Sequence, residues 1–464
     1  MIASANEPQA AWSPLLRRTL MVVAILALAA LAAWLFVTLI PPSSRKIALR
    51  TIAVGVVANV MCALVGTYLV LRRMSLLGDA ISHAVLPGIA LAVIFTGTVA
   101  GWPILAGAML VGVLTALAAQ GLQGFGQVSE DSSLGVVYTS LFAMGVVILQ
   151  IWAPHGHIDV DCVLYGALEN TGAYPPVVWL GIGWPPALLR LLPVLGIVLA
   201  FILVGWKELK LVAFDPALAR AMGLPATAIH LALMGVVAMV TVSAFESVGS
   251  ILVVPMLVAP AATARMLADR LSTTLILAAI SAAFSAIFGY LLADALSTNL
   301  AGIMAAVAGL QLALAVLFSP QHGLLSRWLR NLFLAVQIAA EDIIARLYRE
   351  EERGKPVPAD HSAGWLVSLL ASLHARRQGW TNSAAGLTSQ GREQAEGIVR
   401  AHRLWESYLA THFELPRDHL HEPAERMEHF LDASLQQQLA EELANRNLDP
   451  HGTPIPPVPR ADRG

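Results

Sequence analysis

Cysteine is almost missing from this chain, which has 2 in 464 residues. Cys62 lies in an apolar run and Cys162 in a polar stretch, so the two belong to different environments. A disulfide framework needs several cysteines at regular spacings. The sequence therefore excludes a disulfide-stabilised scaffold, and neither cysteine is predicted to carry chemistry.

Charged residues are also scarce. They make up 13% of the chain, against about 25% in soluble proteins, while 57% of the residues are hydrophobic. The mean hydropathy is +0.67. This composition excludes an ordinary soluble protein and indicates a membrane protein.

The phosphate-binding loop G-x-x-x-x-G-K-[ST] does not occur in the sequence. Of the four lysines only Lys355 follows a glycine, and Pro356 comes next. Such a loop holds nucleotide phosphates through its backbone N–H groups and its lysine. The chain is therefore not expected to bind ATP in this way or to be an enzyme, and any ATP-driven process needs another subunit.

Apolar segments of about 20 residues, long enough to cross a bilayer as helices, recur along the first 320 residues. About ten are predicted, with eight or nine as alternatives. The first is too long for a signal peptide and is predicted to be retained. The segments lie at roughly 19–40, 51–71, 82–99, 102–121, 133–153, 188–206, 226–244, 247–266, 271–292 and 297–317.

The charge changes sign along the chain. Residues 1–340 hold 15 Lys and Arg and 12 Asp and Glu, a balance of +3, whereas 341–464 hold 14 and 19, a balance of -5. The last part also has 8 of the 13 histidines.

The basic residues that flank the segments mostly fall on one side, which predicts that both chain ends are cytoplasmic. We predict an N-terminal region with the first span (1–50), a membrane body (51–320), a linker (321–340) and a soluble tail (341–464).

Three ionisable residues interrupt the apolar body. Asp79 and His83 are four apart, so on a helix they share one face. A charge at membrane depth costs several kcal/mol unless it lines a cavity or finds a partner. Both are predicted to line a translocation path, and the alternative is a helix N-cap and a satisfied core histidine. Glu246 lies either at an outer hairpin tip or where a membrane helix breaks near Gly249.

Two polar loops have different predicted roles. The stretch HGHIDVD carries His155, His157, Asp159 and Asp161, which either collect a metal ion or belong to an ordinary solvated loop. The stretch 206–225 contains Asp215-Pro216, a good helix start, and Gly223, which closes a short helix. Such a helix between two spans can dock a soluble partner.

The body resembles the metal-cation permeases of ATP-binding-cassette importers. The resemblance lies in RRMSLLGDAISHAVLPGIALA (72–92), FDPALARAMGLP (214–225) and VGSILVVPMLVAPAATA (248–264). It implies transport of manganese, zinc or iron and places Asp79 and His83 in the path. It also implies three partners: a cytoplasmic ATPase subunit, an extracytoplasmic metal-binding protein, and a second copy or second permease. The residues implied to dock the ATPase are Phe214, Asp215, Pro216, Ala217, Arg220 and Gly223.

The tail places His and Glu at helical spacings. His402 and Glu406 are i,i+4; Glu425, Glu428 and His429 are i, i+3 and i+4, with His421 one turn earlier. Mixed nitrogen and oxygen ligands suit manganese, iron or zinc. The alternative is a pair of solvated helix faces.

Over roughly 341–435 the tail resembles metal-dependent repressors of the diphtheria-toxin-repressor and manganese-repressor type. The resemblance implies a regulatory metal rather than a tightly bound cofactor. Glu425 leans toward the manganese type, but Ala345 stands where that type has a second acid. The implied ligands are Asp342, His402, Glu425, Glu428 and His429, with Glu406 and His421 for an ancillary site.

DNA binding by the tail is expected to be lost. Arg376 and Arg377 are the only adjacent basic pair in the stretch 360–380 that corresponds to the reading helix. A tail with a net charge of -5 is poorly suited to bind the negatively charged phosphates of DNA.

The sequence thus predicts a mostly α fold: a polytopic helical permease of about 8–10 spans, followed by a small helical domain with a degenerate winged helix and a metal-binding and dimerisation part. The first functional hypothesis is a permease with a metal-sensing tail. A membrane-tethered, metal-responsive transcription regulator and an ion-coupled carrier are the alternatives.

Overall fold

The mostly helical fold is confirmed in the computed structural model. It forms two compact units, a membrane unit, Arg18–Ser326, and a tail unit that includes Arg327–Gly464. The predicted loop residues 155–161 and Cys162 lie outside the described residues. The structure describes residues 27, 30–74, 77–97, 102–126, 129–152, 168–179, 182–356, 364–382, 386–413, 416, 419–443 and 447–457.

The membrane unit is a bundle of thirteen described helices with one short hairpin. The hairpin pairs β1 (Val177–Trp179) with β2 (Ile182–Trp184) in antiparallel fashion. The helices are α1 Ala30–Leu39, α2 Arg45–Leu71, α3 Leu77–Ala84, α4 Leu86–Thr96, α5 Trp102–Gly126, α6 Glu130–Trp152, α7 Pro186–Val204, α8 Trp206–Phe214, α9 Pro216–Ala221, α10 Ala226–Val248, α11 Ser250–Leu267, α12 Leu271–Leu296 and α13 Leu300–Phe318.

Seven of these helices are long and apolar enough to cross a membrane: α2, α5, α6, α7, α10, α12 and α13. Three shorter apolar helices, in α1, α4 and α11, account for the other predicted segments. The predicted continuous span 82–99 is wrong, because α3 ends at Ala84 and α4 begins at Leu86. Pro87 has no backbone N–H, so the hydrogen bond that a continuous helix would make from residue 87 to the carbonyl of His83 is absent. The polar motif therefore lies on a short helix of its own.

Close backbone contacts hold the bundle together. A Cβ at Gly66 of α2 would lie 1.9 Å from the carbonyl oxygen of Leu257 in α11, so only glycine fits there. Asn59 of α2 donates through Nδ2 to the carbonyl of Ala282 at 2.9 Å and to Ser285 Oγ at 2.8 Å, both in α12. Small residues and buried polar contacts thus pack α2 against its two neighbours.

The tail unit is helical as well. Ile344 and Ala345 of its first helix pack against Ala395, Ile398 and Val399. The first helix begins at Leu324, so most of the predicted linker 321–340 is helical. The helices are α14 Leu324–Arg353, α15 Trp365–Arg377, α16 Ser389–His412, α17 His421–Met427 and α18 Ala433–Glu442, and a 3-10 turn, Glu428–Phe430, follows α17.

The last described segment, 447–457, is fastened to α16 by two buried arginines. Arg400 Nη1 donates to the carbonyl of Pro456 at 2.5 Å. Arg403 donates to the carbonyl of Pro454 and pairs with Glu352 of α14. These bonds tie α14, α16 and the C-terminal segment into one tail.

Between α14 and α16 the described residues hold one helix, α15, and one isolated bridge, Thr381 to Leu387. Trp365, Leu366 and Leu369 of α15 are exposed. The first half of this helix therefore offers a largely apolar surface to solvent, and its end exposes Arg376 and Arg377.

Candidate functional site

The polar motif of the membrane unit lies on α3. The His83 side chain is half-buried, and its ring centroid lies 6.1 Å from that of Tyr138 and 5.9 Å from that of Phe142, both in α6. The backbone of Asp79 is one turn earlier in the same helix, but its side chain lies outside the described part. The structure therefore places His83 beside two aromatic side chains of α6.

The connection after Glu246 is a break between two helices. α10 ends at Val248, Gly249 has φ +87°, and α11 begins at Ser250. Ser247 and Val248 are buried. Of the two predicted alternatives, this geometry favours the broken helix over an exposed hairpin tip, although the Glu246 side chain itself is not among those described.

The predicted docking helix is confirmed as a structural element. Asp215 Oδ1 accepts hydrogen bonds from the backbone N–H groups of Ala217 at 3.1 Å and Leu218 at 2.9 Å, which caps α9. Gly223, with φ +80°, terminates it, and its N–H donates to the carbonyl of Arg220 at 3.0 Å. Pro216 occupies the first turn. The cap fixes the direction of this short helix.

Three exposed apolar side chains along this segment were missed in the sequence. Phe214, Leu218 and Met222 are spaced by four residues and are 53%, 47% and 66% exposed. They do not lie on one helix, because Phe214 ends α8, the non-helical Asp215 follows, and α9 ends at Ala221 before Met222. They add exposed apolar surface beside the polar residues predicted there.

The first ligand cluster in the tail joins α16 to the start of α17. His402 Nε2 lies 3.1 Å from Glu406 Oε1 and 2.9 Å from His421 Nδ1. His421 Nδ1 lies 3.1 Å from the same Glu406 oxygen. These three ligand atoms lie within 4.8 Å of one another, close enough to share one ion.

A second cluster joins α14 to the 3-10 turn. His429 Nε2 lies 3.1 Å from Asp342 Oδ1 and 3.8 Å from Glu428 Oε1. His402 Nδ1 lies 2.5 Å from the other Glu428 oxygen, Oε2. The two nitrogens of His402 thus connect the two clusters. The sequence placed His402 in the main site with Asp342, Glu428 and His429, whereas the structure groups its Nε2 with Glu406 and His421 of the predicted ancillary site.

Two residues of the second cluster were missed in the sequence. Glu341 Oε2 lies 2.8 Å from His429 Nδ1. Glu341 is one turn before Ala345, which is buried in the core, so a search for acids on that helix face would have found it. Arg349 Nη2 lies 3.2 Å from Glu428 Oε2. Glu341 therefore provides a second N-terminal carboxylate, in place of the acid that was expected at position 345. Arg349 places a positive charge beside Glu428.

Glu425 is not brought into either cluster. Its side chain is exposed on α17, whereas Glu428 begins the 3-10 turn after the α-helix has ended at Met427. The change of helix type alters the rotation between the two glutamates. Of the seven predicted tail ligands, the structure therefore groups six.

Electrostatics in both clusters favour the charged forms. Burial opposes the charge on Glu406, but hydrogen bonds from His402 and His421 outweigh it and lower the pKa of that carboxyl to about 2. Burial likewise opposes imidazolium at His429, yet hydrogen bonds to Asp342 and Glu341 raise its pKa to about 10. The clusters thus hold anionic carboxylates beside protonated imidazole.

The donor set fits a divalent cation. It combines carboxylates with imidazoles and contains no thiolate, which suits manganese, iron or zinc. Glu428 and His402 have only 1% and 5% of their side chains exposed. Buried ionisable groups at this density need a counter-charge, which hydrogen-bonded protons and Arg349 supply in the described arrangement.

Comparisons with known proteins agree with the division of the chain into a membrane unit and a tail. The ABC 3 transport family matches residues 44–319. The family described as iron dependent repressor, metal binding and dimerisation domain matches residues 388–457. The second match contains both histidine clusters except Asp342 and Glu341, which lie upstream in α14.

Individual relatives cover the membrane unit. The chain is 43% identical to the manganese transport system membrane protein MntD of Bacillus subtilis, over 61% of this chain and 95% of the relative. It is 37% identical to the zinc transport system membrane protein TroD of Treponema pallidum, over 61% and 76%. Among solved structures, PsaBC from Streptococcus pneumoniae in complex with Fab is 28% identical, with a TM-score of 0.52, over 61% of this chain and 94% of that one.

The ABC 3 match covers more than half of the chain, and the relatives are matched over most of their length. Together with the apolar helices, these matches establish an integral membrane protein. The chain belongs to the ABC 3 transport family and carries a C-terminal metal-binding and dimerisation domain of the iron-dependent repressor type.

Proposed function

We propose that this chain is the permease subunit of a binding-protein-dependent importer for manganese, zinc or iron, and that its cytoplasmic tail senses the imported metal. Relatives named as manganese and zinc transport proteins support the cargo class. The observation that carries the sensing role is the pair of ligand clusters joined through His402. Metal-sensing residues on a transport chain suggest feedback on uptake.

In the proposed transport step the body supplies ligands and the partners supply energy and delivery. Asp79, His83 and Glu246 offer weak, exchangeable ligands to a dehydrating cation along the path. The capped helix α9, with the exposed apolar side chains Phe214, Leu218 and Met222 in and beside it, docks a separate ATPase subunit. An extracytoplasmic protein delivers the ion, and a second copy or second permease completes the path.

In the proposed sensing step a divalent ion binds the tail clusters when internal metal is high. Asp342, Glu428 and His429 would hold one ion, with Glu341 orienting the His429 ring through Nδ1, and His402, Glu406 and His421 would hold a second. Binding removes protons from the imidazoles, because the metal requires their neutral form. Arg349 must then give up its contact with Glu428 or share it.

We propose that DNA binding is not retained. The repressor-type match begins at residue 388 and covers the metal-binding part only. In the described residues before it, α15 exposes Trp365, Leu366 and Leu369 over its first half and only the pair Arg376 and Arg377 at its end, a small basic patch for a phosphate backbone. Operator gel shifts with the full chain, with and without manganese, test this, and a metal-dependent shift would contradict it.

Uptake measurements test the transport proposal. Cells that lack their own importers would express this chain with a matching ATPase and binding protein, and accumulation of manganese, zinc and iron would be measured. Asp79→Ala and His83→Ala should abolish uptake with normal membrane insertion. Asp294→Asn, at an exposed acid near the end of α12, is the matched control. Near-normal uptake in both path variants would remove the proposal.

A separate measurement tests the tail. His402→Ala in the full chain should abolish inhibition of uptake by preloaded metal while initial uptake in metal-starved cells stays normal. His451→Ala, an exposed histidine outside both clusters, should behave as wild type. Unchanged inhibition in His402→Ala would refute feedback and leave the transport proposal untouched.

A further inference from the structure

The beginning of α14 is strongly amphipathic. Leu325, Trp328, Leu329 and Leu332 follow the i, i+3, i+4, i+7 pattern that gathers side chains on one helix face. Trp328 is 61% exposed, and Phe333 beside this face is 71% exposed. Leu332 is half-buried, whereas the other side chains of this face are exposed.

The opposite face begins polar and basic. Arg327, Arg330 and Asn331 lie there, and all three are exposed; the exposed Leu334 follows Arg330 by one turn on the same side. No acidic residue occurs between Asp294 and Glu341. A helix with leucine and tryptophan on one side and arginine on the other is typical of segments that lie in the membrane interface.

The start of α14 is held next to the end of a membrane helix. α13 ends at Phe318 and α14 begins at Leu324. The turn between them is closed by hydrogen bonds: Gly323 N–H donates to the carbonyl of Ser319 at 2.9 Å, and Ser326 Oγ donates to the same carbonyl at 2.7 Å. The apolar face therefore begins, along the chain, 7 residues after the end of the last membrane helix.

We propose that residues 324–336 form an interfacial helix that lies on the bilayer at the end of α13, with its apolar face in the acyl boundary and Arg327 and Arg330 on anionic headgroups. The apolar face and the absence of acids fit a lipid surface with negative charge. The proposal depends neither on metal binding nor on transport. The same helix continues to Glu341 and Asp342.

Spin-label accessibility tests this in the full chain. Single cysteines would replace Leu325, Trp328 or Asn331 in a Cys62→Ala, Cys162→Ser background, and the labelled protein would be reconstituted in nanodiscs. The lipid would be either neutral phosphatidylcholine or a mixture with anionic phosphatidylglycerol. Collision rates with oxygen, which partitions into lipid, would be compared with those of a water-soluble nickel complex.

Labels at 325 and 328 should show a several-fold higher oxygen-to-nickel ratio than the label at 331. The ratio at 328 should rise further with phosphatidylglycerol, and the double change Arg327→Gln, Arg330→Gln should remove that rise. Equal ratios at 328 and 331 in both lipids would overturn the proposal. Strong dipolar coupling between labels at 328 in nanodiscs that contain two chains would instead assign the face to a second copy and overturn it as well.

Discussion

Raising the pH should tighten metal binding to the tail by forcing a proton off His429. The pKa of this imidazole is raised to about 10, because hydrogen bonds to Asp342 and Glu341 outweigh the effect of burial. A metal ion requires the neutral ring. Below pH 10, an ion that binds His429 must therefore displace that proton.

The size of the effect follows from the pKa. At pH 7 the medium is about 3 units below a pKa of about 10, and each unit corresponds to about 1.4 kcal/mol. Deprotonation therefore costs about 4 kcal/mol at pH 7 and weakens the apparent affinity about a thousandfold. The affinity should rise about tenfold per pH unit. The pKa of His402 is raised too: burial lowers it, but hydrogen bonds to Glu406 and Glu428 prevail. A second proton would steepen the dependence.

The metal-free tail should show the opposite trend. A histidine whose folded pKa is raised from 6.5 to about 10 stabilises the fold fully below pH 6.5, and this stabilisation is lost as the pH rises through about 10. Metal-bound protein should become more stable over the same range. The two stability curves should therefore diverge between pH 6.5 and 10.

The assay uses the full chain in nanodiscs, with Asp79→Ala and His83→Ala to remove candidate ligands from the membrane unit. Free manganese would be followed by its electron paramagnetic resonance signal at pH 6.5, 7.5 and 8.5. Calorimetry in two buffers of different protonation enthalpy would count the released protons. His429→Gln should lower both affinity and proton release, and His451→Gln should change neither. A flat affinity with no proton release would refute the reasoning.

Three substitutions probe other parts of the molecule. Arg349→Ala should destabilise the metal-free tail by about 3 kcal/mol, because it removes the cation beside a buried carboxylate. Arg392→Ala, at an exposed ion pair, should cost less than about 1 kcal/mol, and equal melting-temperature shifts would contradict the assignment. Gly66→Ala should lower the melting temperature of the membrane unit, since its Cβ would overlap a backbone carbonyl, whereas Gly196→Ala meets open space and should not. Asp215→Ala should cost about 1 kcal/mol of helix stability and reduce ATPase co-purification; undiminished co-purification would speak against docking there.

Local signals in the sequence were sufficient for several features. The apolar segments, the cap at Asp215 and the stop at Gly223 depend on residues next to each other in the chain. The grouping of His402 with Glu406 follows from helical spacing alone. The proximity of His402 and Glu406 can be predicted because residues four apart along a helix are close in space.

Features that depend on packing between helices were not predictable in this way. Glu341 and Arg349 reach the ligands only because α14 packs beside the 3-10 turn, and no spacing rule connects them to residues about 80 positions later. Glu425 satisfied the spacing rule but lies outside, since the helix changes type before Glu428. The division of the span at 82–99 depends on Pro87, which membrane helices often tolerate.

The balance of charge in the second cluster predicts that the tail stays folded without metal. Glu341, Asp342 and Glu428 are neutralised in part by Arg349 and by the proton on His429. A divalent ion would replace positive charge that is already present, unlike the zinc in small domains that unfold when it is removed. Limited proteolysis of the full chain in chelator should therefore leave α16 to α18 intact. Cleavage within 389–443 only in chelator would show that metal holds the fold together. A site that exchanges protons and a guanidinium for metal, with little change in net charge, can respond reversibly to metal concentration.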